Sequence, residues 1–223
     1  MRKGSYVVAG LVGIVTVVGM AIAAEQASKD IQLPAPQMDG GKPLMQVLKD
    51  RKSTRAFTAE KVPPQVLSNL LWAAFGVNRP ELGERTAPSA MNKQEIDIYV
   101  ASADGLYLYD AKTQSLKQIL PDDVRAMAGM QDFVATAPIN LVYVADLAKM
   151  GNGSEADKSF YSAADTGFIA ENVYLFCASE GLATVVRAMI DRDALAKRIG
   201  LRPDQKITLS QTVGYPKKQG APS

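Results

Sequence analysis

The chain of 223 residues contains no histidine and a single cysteine, Cys177. Without imidazole, a Ser/His/Asp or Cys/His nucleophile system, a His-liganded zinc or haem, and imidazole general-base catalysis are all excluded within this chain. One cysteine can neither close an intramolecular disulfide nor hold an iron–sulfur cluster by itself. No metal site is expected, and chemistry must come from carboxylates, hydroxyls, amines or a borrowed cofactor. An excess of charge of one sign is also missing, with 25 Lys and Arg against 23 Asp and Glu. That balance gives no electrostatic case for binding nucleic acid. Hydrophobic residues make up 47% of the chain, enough for a real core, so a disordered, collagen-like or disulfide-stapled chain is excluded as well.

The one long uncharged apolar run is at the N-terminus. Arg2 and Lys3 precede residues 6–22, which carry no charge and lead into the small residues Ala21, Ala23 and Ala24. This three-part layout is that of a secretory signal peptide over residues 1–24, and the alternative is an uncleaved anchor, since the run is near the minimum for spanning a bilayer. Export, to the periplasm, is expected in the first case, and contact with a membrane only through this segment in the second. Loss of Arg2 and Lys3 with the segment would leave equal numbers of basic and acidic residues. Residues 25–42, with Pro34, Pro36, Gly40 and Gly41, read as an extended linker or arm.

From Pro43 the pattern becomes that of a folded domain, expected over residues 43–218 with a short tail at 219–223. Helical spacing predicts a helix from Pro43 to about Arg51 and another over residues 64–75, stopped by Gly76. Residues 79–91 read as loop. Alternation at Ile96, Ile98 and Val100, the Ala103-Asp104-Gly105 turn, and apolar runs at 106–109 and 115–120 predict antiparallel strands. Residues 122–136 read as a helix whose first turn carries Asp122 and Asp123, and 139–145 as a buried strand. The longest predicted helix covers 158–180, with so many apolar positions that it belongs in a core or at a subunit interface, and Gly181 ends it. A strand at 183–188, a helix at 191–199 and a last strand at 207–213 complete an α+β chain without internal repeats. Cys177 and Trp72 read as core residues.

Three local groups could carry chemistry. Arg51-Lys52-Ser53-Thr54-Arg55 sets three cations and two hydroxyls after a helix; such a cluster can neutralise and hydrogen-bond a phosphate, or can simply offset the negative end of the helix dipole. Pro88-Ser89-Ala90-Met91-Asn92-Lys93-Gln94 offers amides that both donate and accept, suited to a pyrimidine-like ring edge or to a polar turn. Gly214-Tyr215-Pro216-Lys217-Lys218 follows a strand and could meet an anion, or be a basic tail.

Taken in order, these groups resemble the signatures of the flavin-dependent nitroreductase family: Arg-x-Ser-x-Arg, then Pro-Ser-x-x-Asn-x-Gln, a long helix ending at Gly181-Leu182, and a late Gly-Tyr-Pro before basic residues. The resemblance looks closest to the branch that includes azoline-oxidising dehydrogenases. It implies a mostly antiparallel sheet flanked by helices, a homodimer with a long interface helix, and two FMN sites at that interface. Carried over by position, it implies that Arg51, Ser53 and Arg55 contact FMN, with Lys52 contributing through its backbone and Lys217 or Lys218 approaching the phosphate. Ser89 and Asn92 would reach the flavin, in such dimers often from the partner subunit. Arg187 and Ala188 fall where the family places amides near the reactive ring edge, and the Arg187 cation either points at the flavin or points away while its amide acts. Where the family commonly has Pro and an aromatic residue after Gln94, this chain has Glu95 and Ile96. The implied activity is an exported FMN-dependent oxidoreductase passing hydride through flavin N5 from NAD(P)H or another reductant to a small-molecule electrophile such as a nitroaromatic or quinone. The alternatives are oxidation of a peptide or small-molecule ring, and flavin binding without turnover. No residue of the chain is expected to be catalytic in its own right, because the flavin carries the chemistry.

Overall fold

The computed structural model describes Met1 and residues 29–217. The expected signal peptide, the first residues of the arm, Lys218 and the tail lie outside the described residues. Within them, nine strands and four helices form a seven-stranded sheet, a two-stranded hairpin and the helices around them. The strands are β1 (Ile31–Gln32), β2 (Val77–Arg79), β3 (Glu84–Arg85), β4 (Ile96–Ser102), β5 (Gly105–Asp110), β6 (Ser115–Leu120), β7 (Ile139–Asp146), β8 (Ala183–Arg187) and β9 (Gln205–Gly214). The helices are α1 (Leu44–Asp50), α2 (Pro64–Phe75), α3 (Glu155–Glu180) and α4 (Arg192–Ile199).

The sheet runs β1-β6-β5-β4-β7-β9-β8, and each neighbouring pair is antiparallel. All eight residues of β7 are buried, which is why its apolar residues are nearly continuous, broken only by Asn140 before Asp146. Its odd-numbered residues, Ile139, Leu141, Tyr143 and Ala145, face a core shared with α2 and α3, where Leu70, Leu71, Phe75, Ile169 and Val173 pack. Val142 and Val144 face the opposite core, closed by α4 through Leu195 and Ile199 and by Val124, Ala128 and Val134. The period of two along the strand thus divides one apolar run between two cores.

Helix boundaries follow local chemistry. Ser154 caps α3 by accepting from the Asp157 amide at 3.1 Å, and Glu155 and Asp157 occupy the first turn, where carboxylates favour the dipole. The helix therefore begins three residues before the start its apolar pattern suggests. Gly181 ends it in the left-handed region, with φ 72°, as a Cβ-free residue does at low cost. The described part of the arm is tied down: β1 adds an edge strand to β6, and Ser68 and Gln65 of α2 donate to the Pro34 and Ala35 carbonyls.

Two sequence expectations need correction. Residues 79–91 are not all loop, because Val77–Arg79 and Glu84–Arg85 pair as a short hairpin. Residues 122–136 are not a helix but two 3₁₀ turns, Arg125–Ala128 and Asp132–Val134, separated by Gly129 in extended conformation, φ 172° and ψ 164°. The carbonyls a helix would need for its own ladder accept tertiary donors instead. Ala128 accepts from Ser210 Oγ at 2.6 Å and from Arg187 Nη1 at 3.1 Å, and Val134 accepts from Asn140 Nδ2 at 2.9 Å. Asp122 and Asp123 serve no helix dipole; they pair with Arg198 and Arg125.

Tyr143 is buried in the centre of the sheet and donates its hydroxyl to Gln211 Oε1 at 2.6 Å. Tyr143→Phe should leave that buried acceptor without its donor and lower unfolding free energy by about 1–3 kcal/mol, measured by denaturant melts against the parent chain.

Candidate functional site

A cleft of about 980 Å³ opens where the segment after α1 meets the end of α3, the start of β8 and the C-terminal segment. Short backbone hydrogen bonds build it: Thr54 N donates to Thr184 O at 2.9 Å, Lys217 N to Ala56 O at 3.0 Å, and Thr58 N to Tyr215 O at 2.9 Å. Residues far apart in sequence are thereby laid side by side, and Lys49, Lys52, Arg55 and Lys217 line one concavity with Asp50. Among the described residues none of these four cations, nor Arg51, forms an ion pair. Unneutralised cations gathered in a concave surface raise the local concentration of anions, phosphates above all.

Tyr174 of α3 fixes this segment. Its hydroxyl lies 2.8 Å from Ser53 Oγ and accepts the Val186 amide at 3.0 Å, and the Arg51 guanidinium lies 5.2 Å from its ring centroid. One side chain thus ties the cation-rich loop to β8 by two hydrogen bonds and a cation–π contact. Tyr174 was not singled out by sequence, where it reads as one more apolar position of α3; its phenol, one turn from Cys177, is the only hint. Burial pushes the Cys177 thiol pKa up, as befits a core residue rather than a nucleophile.

The structure therefore brings Arg51, Lys52, Ser53, Arg55 and Lys217 together. It does not bring Ser89 and Asn92 to them within one chain: these lie in a separate turn against the first half of α3. Met91, Asn92 and Gln94 there have φ of 52°, 52° and 49°, a left-handed conformation that costs non-glycine residues free energy and needs anchoring. The Gln94 amide N–H donates to Ser89 Oγ at 2.9 Å, its Oε1 accepts from Arg85 Nε at 2.7 Å, and its Nε2 donates to Gly83 O and Asn92 Oδ1. Gln94 is consumed in holding the turn rather than available to a ring edge.

Arg187, at the end of β8, points away from the cleft. Its side chain is 6% exposed, donates to Ala128 O and to Asn140 Oδ1 at 2.9 Å, and lies 5.7 Å from the Phe133 ring centroid. Burial without a carboxylate partner lowers its pKa to about 10. Gly129 makes room for it, since a Cβ there would come within 1.9 Å of Nη1. Of the two directions open to this cation, the side chain takes the one away from the cleft. Ala188 follows it as an exposed residue.

Antiparallel architecture and a cationic cleft at the sheet's end define a class, and comparison with known proteins agrees. Residues 48–215 match the model of the Nitroreductase family. A Methanocaldococcus jannaschii protein that bears the nitroreductase name is 35% identical over 162 residues, 67% of this chain and 81% of that one. A crystal structure from Ralstonia eutropha JMP134, described as a nitroreductase, is 45% identical with a TM-score of 0.81, covering 85% of this chain and 90% of that chain. A Desulfovibrio desulfuricans structure, solved in complex with FMN, is 21% identical with a TM-score of 0.59 over 82% of this chain and 91% of that chain, a likeness of fold. The chain belongs to the nitroreductase family and is an oxidoreductase.

Two substitutions probe the scaffold of the site. Tyr174→Phe should cost about 1–3 kcal/mol by orphaning the Val186 amide, with faster proteolysis near Ser53 as a second readout. Gly129→Ala should cost about 1–3 kcal/mol by overpacking against the Arg187 guanidinium, read as a lowered melting temperature.

Proposed function

We propose that the cationic cleft holds the phosphate and ribityl chain of FMN and that the protein is an exported flavin-dependent oxidoreductase. The observation that carries this reading is the cleft itself: Lys49, Lys52, Arg55 and Lys217 converge with the Ser53 and Thr54 side of the loop, and none of the four cations is neutralised by an ion pair among the described residues. An elongated anion with hydroxyls along its length fits that donor set. Lys218, next in sequence, is a second candidate for the phosphate, and Arg51 acts from behind by holding Tyr174.

Bound FMN would supply hydride transfer through N5 between a reductant, NAD(P)H or another donor, and a small-molecule acceptor such as a nitroaromatic or quinone. The chain's part is binding and orientation. Arg55 and Lys217 would counter phosphate charge, Ser53 is held in place by Tyr174, and the backbone amides at Arg187 and Ala188 would be the groups offered to the reactive edge. A chain without histidine is suited to this division of labour, because protons can come from water.

A homodimer is part of the proposal. Phe160, Tyr161 and Phe168 on α3 are 70%, 40% and 49% exposed, and Met91 beside the strained turn is 72% exposed; an apolar surface of this kind on a long helix is suited to a second copy. In that assembly Ser89 and Asn92 would reach the partner's flavin rather than their own. Export rests on the charged-apolar-small layout of residues 1–24, with the periplasm as destination.

Purified protein lacking residues 1–24 should be yellow or become so with added FMN, and should bleach with anaerobic NADH or NADPH or with another donor and recover on addition of a nitroaromatic or quinone. A colourless protein that takes up no FMN overturns the proposal; a yellow protein without turnover is a flavin carrier, and bleaching by an azoline-type ring marks the dehydrogenase alternative. Arg55→Ala combined with Lys217→Ala should weaken FMN binding by about 100-fold or more, measured by fluorescence titration.

A further inference from the structure

Behind the strained turn lies a carboxyl pair that the cleft does not use. Glu95 has no exposed surface and Asp165 of α3 is 2% exposed. Asp165 Oδ2 accepts the Ala90 amide at 2.8 Å, which makes it the anchor of the turn from the α3 side. Both Glu95 carboxyl oxygens are buried without a hydrogen-bond donor, the charge of Asp165 bears on that carboxyl, and the Ser162 hydroxyl is directed at Met150 Sδ instead. Two ionised carboxylates in that position would each be acceptors without a donor between them, and a buried charge without a partner is costly. One proton placed on Glu95 turns the same contact into a donor–acceptor pair.

We propose that Glu95 and Asp165 share one proton, and that this proton fixes the turn carrying Ser89, Asn92 and Gln94 in its left-handed conformation. Glu95 and Asp165 are positioning residues: Asp165 grips the Ala90 amide, and neutral Glu95 keeps Asp165 from being repelled. The bearing of the turn on the flavin rests on the reading given above; the shared proton does not.

Other charged groups on the surrounding elements are engaged elsewhere. Asp146 at the end of β7 gives its amide to the Glu95 carbonyl and its carboxylate to Arg202. Lys149, in the turn after β7, pairs with Asp97 of β4, and Arg85 of β3 donates to Gln94 and to Phe75 O. No cation therefore competes with the proton for the Glu95 carboxyl. Burial, followed by the Asp165 charge, raises the Glu95 pKa, so a proton is retained above the ordinary carboxylate range. The sign follows: the folded form binds this proton more tightly than the unfolded chain, so the stability it contributes is full below the unfolded value and is lost as pH rises through the folded one.

The pair is tested on the whole chain by two readouts independent of flavin. With ¹³C-labelled glutamate, the infrared spectrum at about pH 7, where exposed carboxyls are ionised, should contain the carbonyl band of one un-ionised glutamic acid, absent in Glu95→Gln. Amide-exchange protection at Ala90 should fall by about tenfold or more between about pH 5 and about pH 9, whereas Glu95→Gln, whose side chain donates at every pH, should keep it level. Absence of the band, or the same pH profile in the parent and Glu95→Gln, overturns the proposal. Should Glu95→Gln fail to fold, the band in the unsubstituted chain and its disappearance on raising the pH decide alone. FMN affinity should weaken in parallel with Ala90 protection in the parent chain and stay level in Glu95→Gln. No FMN binding at any pH would sink the flavin reading while leaving the band and the amide profile to judge the proton.

Discussion

Because β7 is buried along its whole length, with a core on each face, every polar atom on it and its neighbours must find a partner inside the protein. Asn140 is where that requirement is met most fully. Its amide donates to Val134 and accepts from Arg187 and Thr212, joining β7, β8 and β9 to the 3₁₀ turns that close the second core. The sheet can be two-sided only because this small polar network is satisfied, and the position of β8, hence one wall of the cleft, follows from it.

The opposite economy holds at the cleft. There the chain leaves cations unmatched, against the general preference for paired charges, and it brings them together with backbone hydrogen bonds rather than ion pairs. Like charges gathered this way destabilise the empty site and favour an anionic ligand. A nitroreductase can accept that cost because the two-core sheet supplies the stability.

Regular elements were legible in the sequence wherever one physical signal dominated. The residues 64–75 helix matches α2 end for end, and the nearly continuous apolar residues of β7 announced burial on both faces. The turn motif and the Arg-x-Ser-x-Arg motif showed which polar groups mattered, though not that they occupy separate places in one chain. What could not be read was tertiary competition. Residues 122–136 have helical composition, yet Ser210, Arg187 and Asn140 take or supply the hydrogen bonds that a helix would keep to itself. Tyr174 and Asp165 were hidden for a related reason: in a helix with many apolar residues, a single polar group reveals its role only through what faces it. Glu95 could be noticed as a departure from the family pattern, but its burial depends on α3 crossing behind it.

The cleft is closed by hydrogen bonds between the segment following α1 and the residues following β9, one near the beginning and the other near the end of the folded domain. A molecule gripped by Arg55 and Lys217 together would bridge the largest loop in the chain. Its departure would loosen a closure on which the register of both ends depends, so occupancy should be sensed by the cooperative unfolding of the whole domain and not by one loop alone. In a cell the supply of such a ligand would then bear on how long the protein survives.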